Sequence, residues 1–302
     1  MQKLKYGRKP VRHTAASFMR SHIMTRALNA LGTPPATSPD WVSAVTKQAG
    51  QWFMDGNDQY GDCVIADCAH VEMLRTANVG TIWLPPQANV LALYAYFQGM
   101  KIDPNADLAP SSLSQIEQYL ANNDNGCDEL TVIQYLTSTG WLGRKLDGSA
   151  NLDPTQLDQI RWANCIFGAS RLGLNLPDSA QSQFEAGQPW SPVVGAQLDG
   201  GHDVPVVGYD GTYFYVVTWG KLQPVSPAFM TAKYPDGTPY VEEAHAELAF
   251  DWVNQAGTCP AGLNLTKLVA NPSALRVAIA FFRVTLEKNG NACGRSFVVM
   301  TA

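Results

Sequence analysis

The sequence predicts an α+β protein with two lobes, a helical lobe followed by an antiparallel β lobe. Helical patterns dominate residues 41–150, where the run from Val64 to Leu74 is apolar on most sides, as in a buried central helix. Short β-rich runs follow one another between residues 193 and 250. Helices that precede strands in this way are typical of α+β folds, in which the two kinds of element are segregated.

Length and composition narrow the class of protein. The 302 residues are enough to bury one sizeable core, or two lobes that share a cleft. No apolar run reaches the roughly 18 residues of a membrane span, and no apolar stretch of about 7–15 residues follows the first basic residues, as it would in a secretory signal. We therefore expect a cytoplasmic or virion-associated protein without membrane contact. The six irregularly spaced cysteines are expected to be mostly free thiols.

Charge is unevenly distributed along the chain. No acidic residue precedes Asp40, whereas residues 1–39 contain seven lysines and arginines, so this segment carries +7 and the net charge of −5 leaves −12 for the rest. A basic arm of this kind predicts contact with an acidic surface, on its own chain or on a partner such as nucleic acid. A solvated arm and a transit peptide are the alternatives.

The most informative stretch, residues 57–63, reads Asn-Asp-Gln-Tyr-Gly-Asp-Cys. This stretch favours a turn and places Cys63 at the start of the predicted apolar helix. Free N–H groups and the positive end of the helix dipole lower the pKa of a thiol there, although Asp62 would oppose the effect. Cys63 is therefore a candidate nucleophile, with a buried core thiol as the alternative. Cys68 lies roughly 140° around the helix from Cys63, so no metal site is predicted here.

A second stretch places a histidine in a predicted hairpin. His202 lies in a β-rich run, and Asp210-Gly211 separates that run from the next, which ends at Trp219. A two-residue turn at Asp210-Gly211 would put His202 opposite Trp219.

The two stretches together resemble the active-site motifs of papain-like cysteine peptidases. Gly-Asp-Cys at residues 61–63 is similar to the end of the family's cysteine motif, and Gly-His at residues 201–202 is similar to its histidine motif. Trp-Gly at residues 219–220 is similar to the end of the family's Asn-Ser-Trp-Gly strand. Gly-Cys at residues 126–127 is similar to a family segment that lines the substrate groove. The resemblance covers about residues 40–222.

The resemblance implies a papain-like two-lobe fold with the active-site cleft between the lobes. It implies Cys63 as nucleophile, His202 as its base and Trp219 as a shield for the histidine. Asn57, with Gln59 as the alternative, falls at the position of the oxyanion-hole amide. No metal or organic cofactor is implied.

The same resemblance divides the chain into three parts. A basic arm occupies residues 1–39, and the papain-like domain occupies residues 40–222. Within that domain the helical lobe extends to about residue 150 and the β lobe begins at about residue 151. Residues 223–302 are expected to form a C-terminal extension that packs on the domain.

The orienting residue of the family's histidine has no direct counterpart in this sequence. Val217 stands where the family has an asparagine, and Val217 cannot accept a hydrogen bond. The third catalytic member is therefore missing, supplied by another segment, or provided by Thr218 through a bulge. Pro205 makes a bulge or an edge strand compatible with the first strand of the hairpin.

The groove segment also departs from the family. Asp128 and Glu129 replace a glycine pair that lines the substrate groove, which leaves the peptide specificity open. Tyr60 stands where many members have the disulfide partner of Cys127, so Cys127 is expected to be a free thiol.

The predicted function is thiol-dependent cleavage of peptide or amide bonds in a polypeptide substrate. The Cys63 sulfur is then expected roughly 3–5 Å from a ring nitrogen of His202. One alternative is a catalytically weak or inactive papain-fold component of a larger assembly such as a phage particle. Another is acyl transfer or deamidation by the same pair.

Overall fold

The structure is a computed structural model that describes residues 4–11, 28, 32–249, 252, 258 and 260. Five helices come first within it and form the helical lobe: α1 Val42–Ala49, α2 Cys63–Val79, α3 Gln87–Phe97, α4 Pro110–Leu120 and α5 Glu129–Ser138. None of the helices in the described part of the chain is long and apolar enough to cross a membrane.

In the described part of the chain, a six-stranded antiparallel sheet forms the second lobe. Its strands are β1 Leu146–Leu152, β2 Ser170–Pro177, β3 Leu198–Tyr209, β4 Phe214–Thr218, β5 Lys221–Val225 and β6 Val241–Ala249. The spatial order is β1-β6-β2-β3-β4-β5. Three more helices lie between strands: α6 Leu157–Phe167, α7 Ser179–Glu185 and α8 Pro227–Met230. The predicted α+β class is confirmed.

The central helix α2 joins the two lobes. It packs against α1 and α3 in the helical lobe and against β3 in the sheet. Fifteen of its 17 residues are buried, as the absence of a polar stripe predicted. The helix ends before Gly80, whose N–H donates to the carbonyl oxygen of Thr76. Its first residue, Cys63, consequently lies at the junction between the lobes.

The sheet extends beyond the limits that the sequence predicted for the β lobe. β6 lies between β1 and β2 and pairs with both of them. A strand with a partner on each side is part of the sheet itself, so residues 241–249 belong to the β lobe and not to an extension packed on it. The first strand likewise begins at Leu146, before the expected boundary near residue 151. Most of the remaining extension, with Cys259 and Cys293, lies outside the described residues, as does most of the arm between residues 12 and 31.

Candidate active site

Cys63 is the first residue of α2, as predicted, and its side chain is buried. The preceding Asp62 is the N-cap residue, and its carbonyl oxygen accepts from the N–H groups of Ile65 and Ala66. Burial raises the pKa of the Cys63 thiol well above its ordinary value, and the charge of Asp203 adds to this effect. Backbone hydrogen bonds from Asp203 and Gly7 lower the pKa, but by less. The thiol is therefore neutral in this state.

His202 lies in β3 with only 1% of its surface exposed. Its Nε2 atom and the Thr218 hydroxyl form a hydrogen bond of 2.8 Å. Its Nδ1 atom has no hydrogen-bond partner in the described part of the chain, so it is not hydrogen-bonded to Cys63 here. Burial, together with the positive charge of Arg8, lowers the pKa of His202 from 6.5 to about 3. The imidazole is consequently neutral.

The hairpin turn lies one residue later than the sequence predicted. Tyr209 pairs with Phe214, and Asp210 donates its N–H to the carbonyl oxygen of Tyr213. The Asp210 carboxylate accepts from the N–H groups of Thr212 and Tyr213, which fixes Asp210 as the first residue of the turn and not as a central one.

The shifted register decides which side chain reaches the histidine. A bulge follows the pair of Val206 and Val216. On the His202 side of this bulge, the even-numbered residues of β3 and the even-numbered residues of β4 lie on the same face of the sheet. A slip of one residue exchanges the two faces of a strand. Thr218 therefore lies on the His202 face and Val217 on the other, opposite to the predicted pairing. Of the three alternatives for the orienting group, the structure contains the one in which Thr218 acts through a bulge.

Trp219 covers the histidine as predicted. The two rings stack with centroids 4.8 Å apart and planes inclined by 22°. Trp219 and Gly220 both have positive φ values, 45° and 69°, between the paired residues Thr218 and Lys221. Two residues of this conformation form the tight turn that matches the twist of a β-ribbon. The turn places the indole over the imidazole and away from solvent.

The predicted oxyanion-hole amide is engaged elsewhere in this state. The Asn57 amide nitrogen donates to the Tyr60 carbonyl oxygen and to the Asp62 carboxylate, each at 3.2 Å. Both hydrogens of the amide are thereby used. Gln59, the alternative donor, is exposed.

The cleft between the lobes is occupied by residues 4–9 of the basic arm, here called the cleft segment. The N–H groups of Gly7 and Arg8 donate to the Gly201 carbonyl oxygen in β3, at 3.0 and 2.9 Å. On the other side, Cys127 donates its N–H to the Gly7 carbonyl oxygen at 2.7 Å and accepts from Lys9 at 2.8 Å. The segment is thus an extended chain hydrogen-bonded to both lobes.

The cleft segment covers the candidate nucleophile and base. A Cβ atom on Gly7 would overlap the backbone oxygen of Gly61, two residues before Cys63, so only glycine fits at this point. The Tyr6 ring lies edge-on to His202, with centroids 5.8 Å apart, and also contacts Trp219. Sequence reasoning predicted an acidic surface for the arm but not this location, because a basic pattern does not specify where an arm lies.

Arg8 anchors the cleft segment in an acidic pocket of the β lobe. Its Nη1 atom lies 2.7 Å from the Glu243 carboxylate, and its Nη2 atom lies 2.6 Å from that of Glu242. Nε donates to the Leu174 carbonyl oxygen at 3.4 Å, and Nη2 donates to the Asn175 side chain at 3.3 Å. Only 1% of the Arg8 side chain is exposed.

A second buried arginine, Arg171, lies close to the helix and the strand that carry Cys63 and His202. Arg171 in β2 forms ion pairs with Asp67 of α2 at 2.9 Å, with Asp203 of β3 at 2.7 Å and with Glu247 of β6 at 3.2 Å. Glu129 is farther away, at 3.7 Å. This arginine therefore ties the central helix to the two strands that carry His202 and the acidic pocket.

One group of residues in the described part of the chain has the spacing of metal ligands. Ligand atoms of Glu129, Glu243 and His245 all lie within 4.8 Å of one another. One oxygen of Glu243 accepts from Arg8, and the other lies 3.1 Å from His245 Nε2. Within this group, Glu243 is therefore already paired with the guanidinium of Arg8. Cys63, Cys68 and Cys127 are free thiols, as predicted.

Comparison with known proteins gives matches at the level of structure alone. No protein-family model and no curated protein matches the sequence. Xylellain, a cysteine protease from Xylella fastidiosa, superimposes with a TM-score of 0.56 at 13% identity, over 82% of this chain and 98% of that one. A procathepsin B from Trypanosoma congolense has a TM-score of 0.47 at 11% identity, over 81% of this chain and 86% of that one. A Carica candamarcensis cysteine protease has a TM-score of 0.46 at 14% identity, over 71% of this chain and 98% of that one.

At these identities the likeness concerns the fold. The first of the three superpositions includes most of both chains, and the two-lobe arrangement with a cysteine at the start of the central helix is the one that the sequence motifs predicted. The chain therefore has the fold of the papain-like cysteine proteases.

Proposed function

We propose that this protein is a thiol-dependent hydrolase that cleaves peptide or amide bonds through Cys63 and His202, held here in a latent form. The observation that carries the proposal is the cleft segment itself. An extended polypeptide is hydrogen-bonded to both lobes at Gly201 and Cys127, directly beside the candidate nucleophile and base. A cleft that binds its own chain in this way offers the same backbone partners to a substrate.

The hydrogen bond to Thr218 supports a division of roles between the two imidazole nitrogens. With Nε2–H donating to Thr218, the lone pair of Nδ1 is left to accept the proton of the Cys63 thiol. The thiolate then adds to the substrate carbonyl carbon, and the Cys63 backbone N–H stabilises the oxyanion. His202 returns the proton to the leaving amine, and water releases the acyl group from sulfur in a second addition. Asn57 contributes a second oxyanion donor only after its amide turns away from Tyr60 and Asp62.

Burial under the cleft segment explains why the pair is latent. The thiol and the imidazole are both neutral, since burial raises one pKa and lowers the other. Departure of the segment returns water to both groups and removes the Arg8 charge next to His202. Both pKa values then move toward ordinary ones, and a thiolate–imidazolium pair becomes accessible near neutral pH.

The test measures how fast each cysteine reacts with iodoacetamide as a function of pH, by mass spectrometry. Arg8→Glu places a negative charge against Glu242 and Glu243 and should release the cleft segment. Cys63 should then be alkylated at least about tenfold faster than in the wild type, with a midpoint well below the free-thiol pKa of about 8.5. Lys5→Glu is the matched control, because the Lys5 side chain is half-exposed and its ammonium lies 3.7 Å from Asp124.

A second substitution tests the role of the base. His202→Ala in the Arg8→Glu background should move the alkylation midpoint of Cys63 up toward that of an ordinary thiol. If Cys63 in the Arg8→Glu variant reacts no faster than Cys127 at any pH, and His202→Ala changes nothing, the pair has no chemistry. The protein is then an inactive papain-fold component, the alternative considered from the sequence.

A further inference from the structure

We propose that Glu129, Glu243 and His245 form a binding site for a divalent transition-metal ion, with Zn²⁺ as its representative, and that this ion competes with Arg8 for Glu243. The three residues are here called the acid–histidine cluster. The proposal concerns binding, so it is independent of whether the protein is a hydrolase. It has a regulatory consequence, since an ion that displaces Arg8 favours release of the cleft segment.

The cluster brings together side chains from two elements. Glu129 is the first residue of α5, while Glu243 and His245 lie two positions apart in β6 and share one face of that strand. Nε2 of His245 lies 3.1 Å from Oε2 of Glu243 and 3.8 Å from Oε1 of Glu129. Donor atoms about 2.0–2.2 Å from a tetrahedral Zn²⁺ are about 3.3–3.6 Å from one another. The three side chains therefore need only small shifts to bind one ion.

Glu129 provides the clearest evidence that the cluster binds a cation. Its side chain is 0% exposed, and neither of its carboxylate oxygens has a hydrogen-bond partner among the described residues. Oε1 is directed into the cluster, toward Nε2 of His245. Arg171 Nε lies 3.7 Å from this oxygen but forms a closer ion pair with Asp67, at 2.9 Å. A carboxylate buried in this way is strongly unfavourable unless another group stabilises it, and a directly bound metal ion does so.

The charge balance around the cluster also favours a cation. Within the described residues, a network of ion pairs linked through His245 contains seven carboxylates and three arginines. The negative charge is therefore in excess even while Arg8 is docked, and the excess grows when Arg8 leaves. In a buried region such an excess is neutralised by protons or by a cation. The charged members are Arg8, Arg75, Arg171, Asp67, Glu72, Glu129, Asp203, Glu242, Glu243 and Glu247.

Arg8 and the ion use the same carboxylate. Nη1 of Arg8 lies 2.7 Å from Oε1 of Glu243, and the cluster uses Oε2 of that group. Two cations on one buried carboxylate repel each other strongly, because the surroundings screen their charges poorly. When Arg8 leaves, Glu243 remains buried without its cation, and the metal ion replaces it. A ligand that binds the released form more tightly shifts the equilibrium toward release.

The donor set indicates which ions fit. Two carboxylates and one imidazole suit Zn²⁺ and the neighbouring first-row transition metals, whereas Ca²⁺ and Mg²⁺ prefer sets of oxygen atoms alone. Three protein ligands leave one position of a tetrahedron for water. Zn²⁺ is therefore the probe for binding, and Co²⁺ is the probe for the identity of the ligands.

A binding experiment tests the site without catalysis. All proteins are full chains with Cys63→Ala, so that Zn²⁺ cannot bind the Cys63 thiol. The released form also carries Gly7→Val, which expels the cleft segment by overlap with the Gly61 backbone, and Arg8→Ala, which removes the competing guanidinium. Isothermal titration calorimetry should show one Zn²⁺ per chain in the released form, bound about tenfold or more tightly than in the docked form.

Three further substitutions in the released form locate the ion. Glu129→Gln and His245→Gln each remove one ligand at nearly constant shape and should lower the affinity for Zn²⁺ about tenfold or more. Glu242→Gln is the matched control, because Glu242 contacts Arg8 at 2.6 Å but is not part of the cluster, and should change the affinity less than about threefold. Circular dichroism confirms that each variant is folded. The Co²⁺ complex should show visible bands without the intense charge-transfer band of a thiolate ligand.

Limited proteolysis tests the competition with Arg8 by a different measurement. In the chain with Cys63→Ala and a native cleft segment, Zn²⁺ should accelerate tryptic cleavage of the Arg8–Lys9 bond about threefold or more. Cleavage after the exposed Lys101 corrects for any effect of Zn²⁺ on trypsin itself. Glu129→Gln should remove the acceleration, because the ion then binds poorly.

The outcomes separate this inference from the proposed function. Zn²⁺ bound through the cluster, together with an unreactive Cys63 in the alkylation test, supports the site and contradicts the hydrolase. The inference is overturned if the released form binds no Zn²⁺, or if binding survives both Glu129→Gln and His245→Gln. Equal affinities in the docked and released forms also overturn it, since the ion and Arg8 then do not compete.

Discussion

At the scale of single residues, the hydroxyl of Thr218 takes the place that the sequence comparison gave to Val217. The 2.8 Å hydrogen bond between Thr218 and Nε2 restricts rotation of the His202 ring, and the indole of Trp219 stacks on one face of that ring. A hydroxyl accepts a hydrogen bond from the imidazole without supplying a charge. His202 is therefore held in place by a neutral hydroxyl and not by a charged or amide side chain.

Removing the Thr218 hydroxyl should weaken catalysis more than folding. We expect Thr218→Val to lower kcat about tenfold to a hundredfold through a misplaced imidazole, while the free energy of unfolding falls by about 1 kcal/mol. Thr218→Ser should restore the rate, because it restores the hydroxyl. Steady-state kinetics on a segment-released background, together with urea unfolding, provides the measurement. An unchanged kcat in Thr218→Val would show that the hydrogen bond has no part in the reaction.

The ionisation of His202 should depend on whether the cleft segment is docked. The lowered pKa means that the docked state binds fewer protons than the open state, so docking is fully stable above about pH 6.5 and is weakened as the pH falls from there toward 3. Histidine resonances in nuclear magnetic resonance spectra, assigned with a His202→Asn variant, should titrate near pH 3 in the wild type. In the Gly7→Val variant, the midpoint should move up toward 6.5. A wild-type midpoint already near 6.5 would contradict the buried docking.

At the scale of secondary-structure elements, Arg171 holds the central helix against the sheet. Its partners come from α2, β3 and β6, and Arg171 Nη2 also donates to the Val64 carbonyl oxygen in the first turn of α2 at 2.8 Å. The position of Cys63 relative to His202 therefore depends on this arginine. Asp67 pairs with Arg171, and His70 lies 3.4 Å from Asp55.

Substituting Arg171 should destabilise the fold strongly. Arg171→Met leaves several buried carboxylates without their cation, and we expect the free energy of unfolding to fall by about 3–5 kcal/mol. Arg161→Met is the matched control, since Arg161 pairs with Asp158 at 2.7 Å on the surface, where such a pair contributes about 0–1 kcal/mol. Urea unfolding followed by circular dichroism compares the two. Similar losses in both variants would mean that the buried network contributes nothing beyond a surface pair.

At the scale of the whole molecule, the first described residues close the cleft that the rest of the chain forms. The Gly7–Gly201 and Arg8–Glu243 contacts join residues almost 200 or more positions apart. The two lobes are therefore bridged by a segment that belongs to neither of them. Release of this segment changes access to Cys63 without requiring any rearrangement of the sheet.

Docking of the segment should protect it from proteolysis. Arg8 is 5% exposed, so trypsin should cut the Arg8–Lys9 bond at least about tenfold more slowly in the wild type than in Gly7→Val, since cleavage requires local opening. The exposed Lys101 serves as the internal reference for the activity of trypsin. Mass spectrometry of the released N-terminal peptide gives both rates. Equal rates of cleavage at Arg8 in the two proteins would show that the segment is undocked in solution.

The sequence by itself determined the features that local pattern encodes. The apolar character of residues 64–74 predicted a buried helix, the turn before it predicted Cys63 at the helix start, and Trp219 was correctly expected beside His202. These features depend on neighbours in sequence, because short stretches of a few residues determine where a turn forms and which helix is buried.

Only the tertiary structure decided the features that depend on distant contacts. The bulge that brings Thr218 to His202 arises where β3 meets β4, and the place of β6 is set by pairing with β1 and β2. The docking of Arg8 depends on two glutamates more than 230 positions away. A register slip of one residue or a long-range ion pair has no local signature, because its free energy comes from groups that only the folded chain brings together.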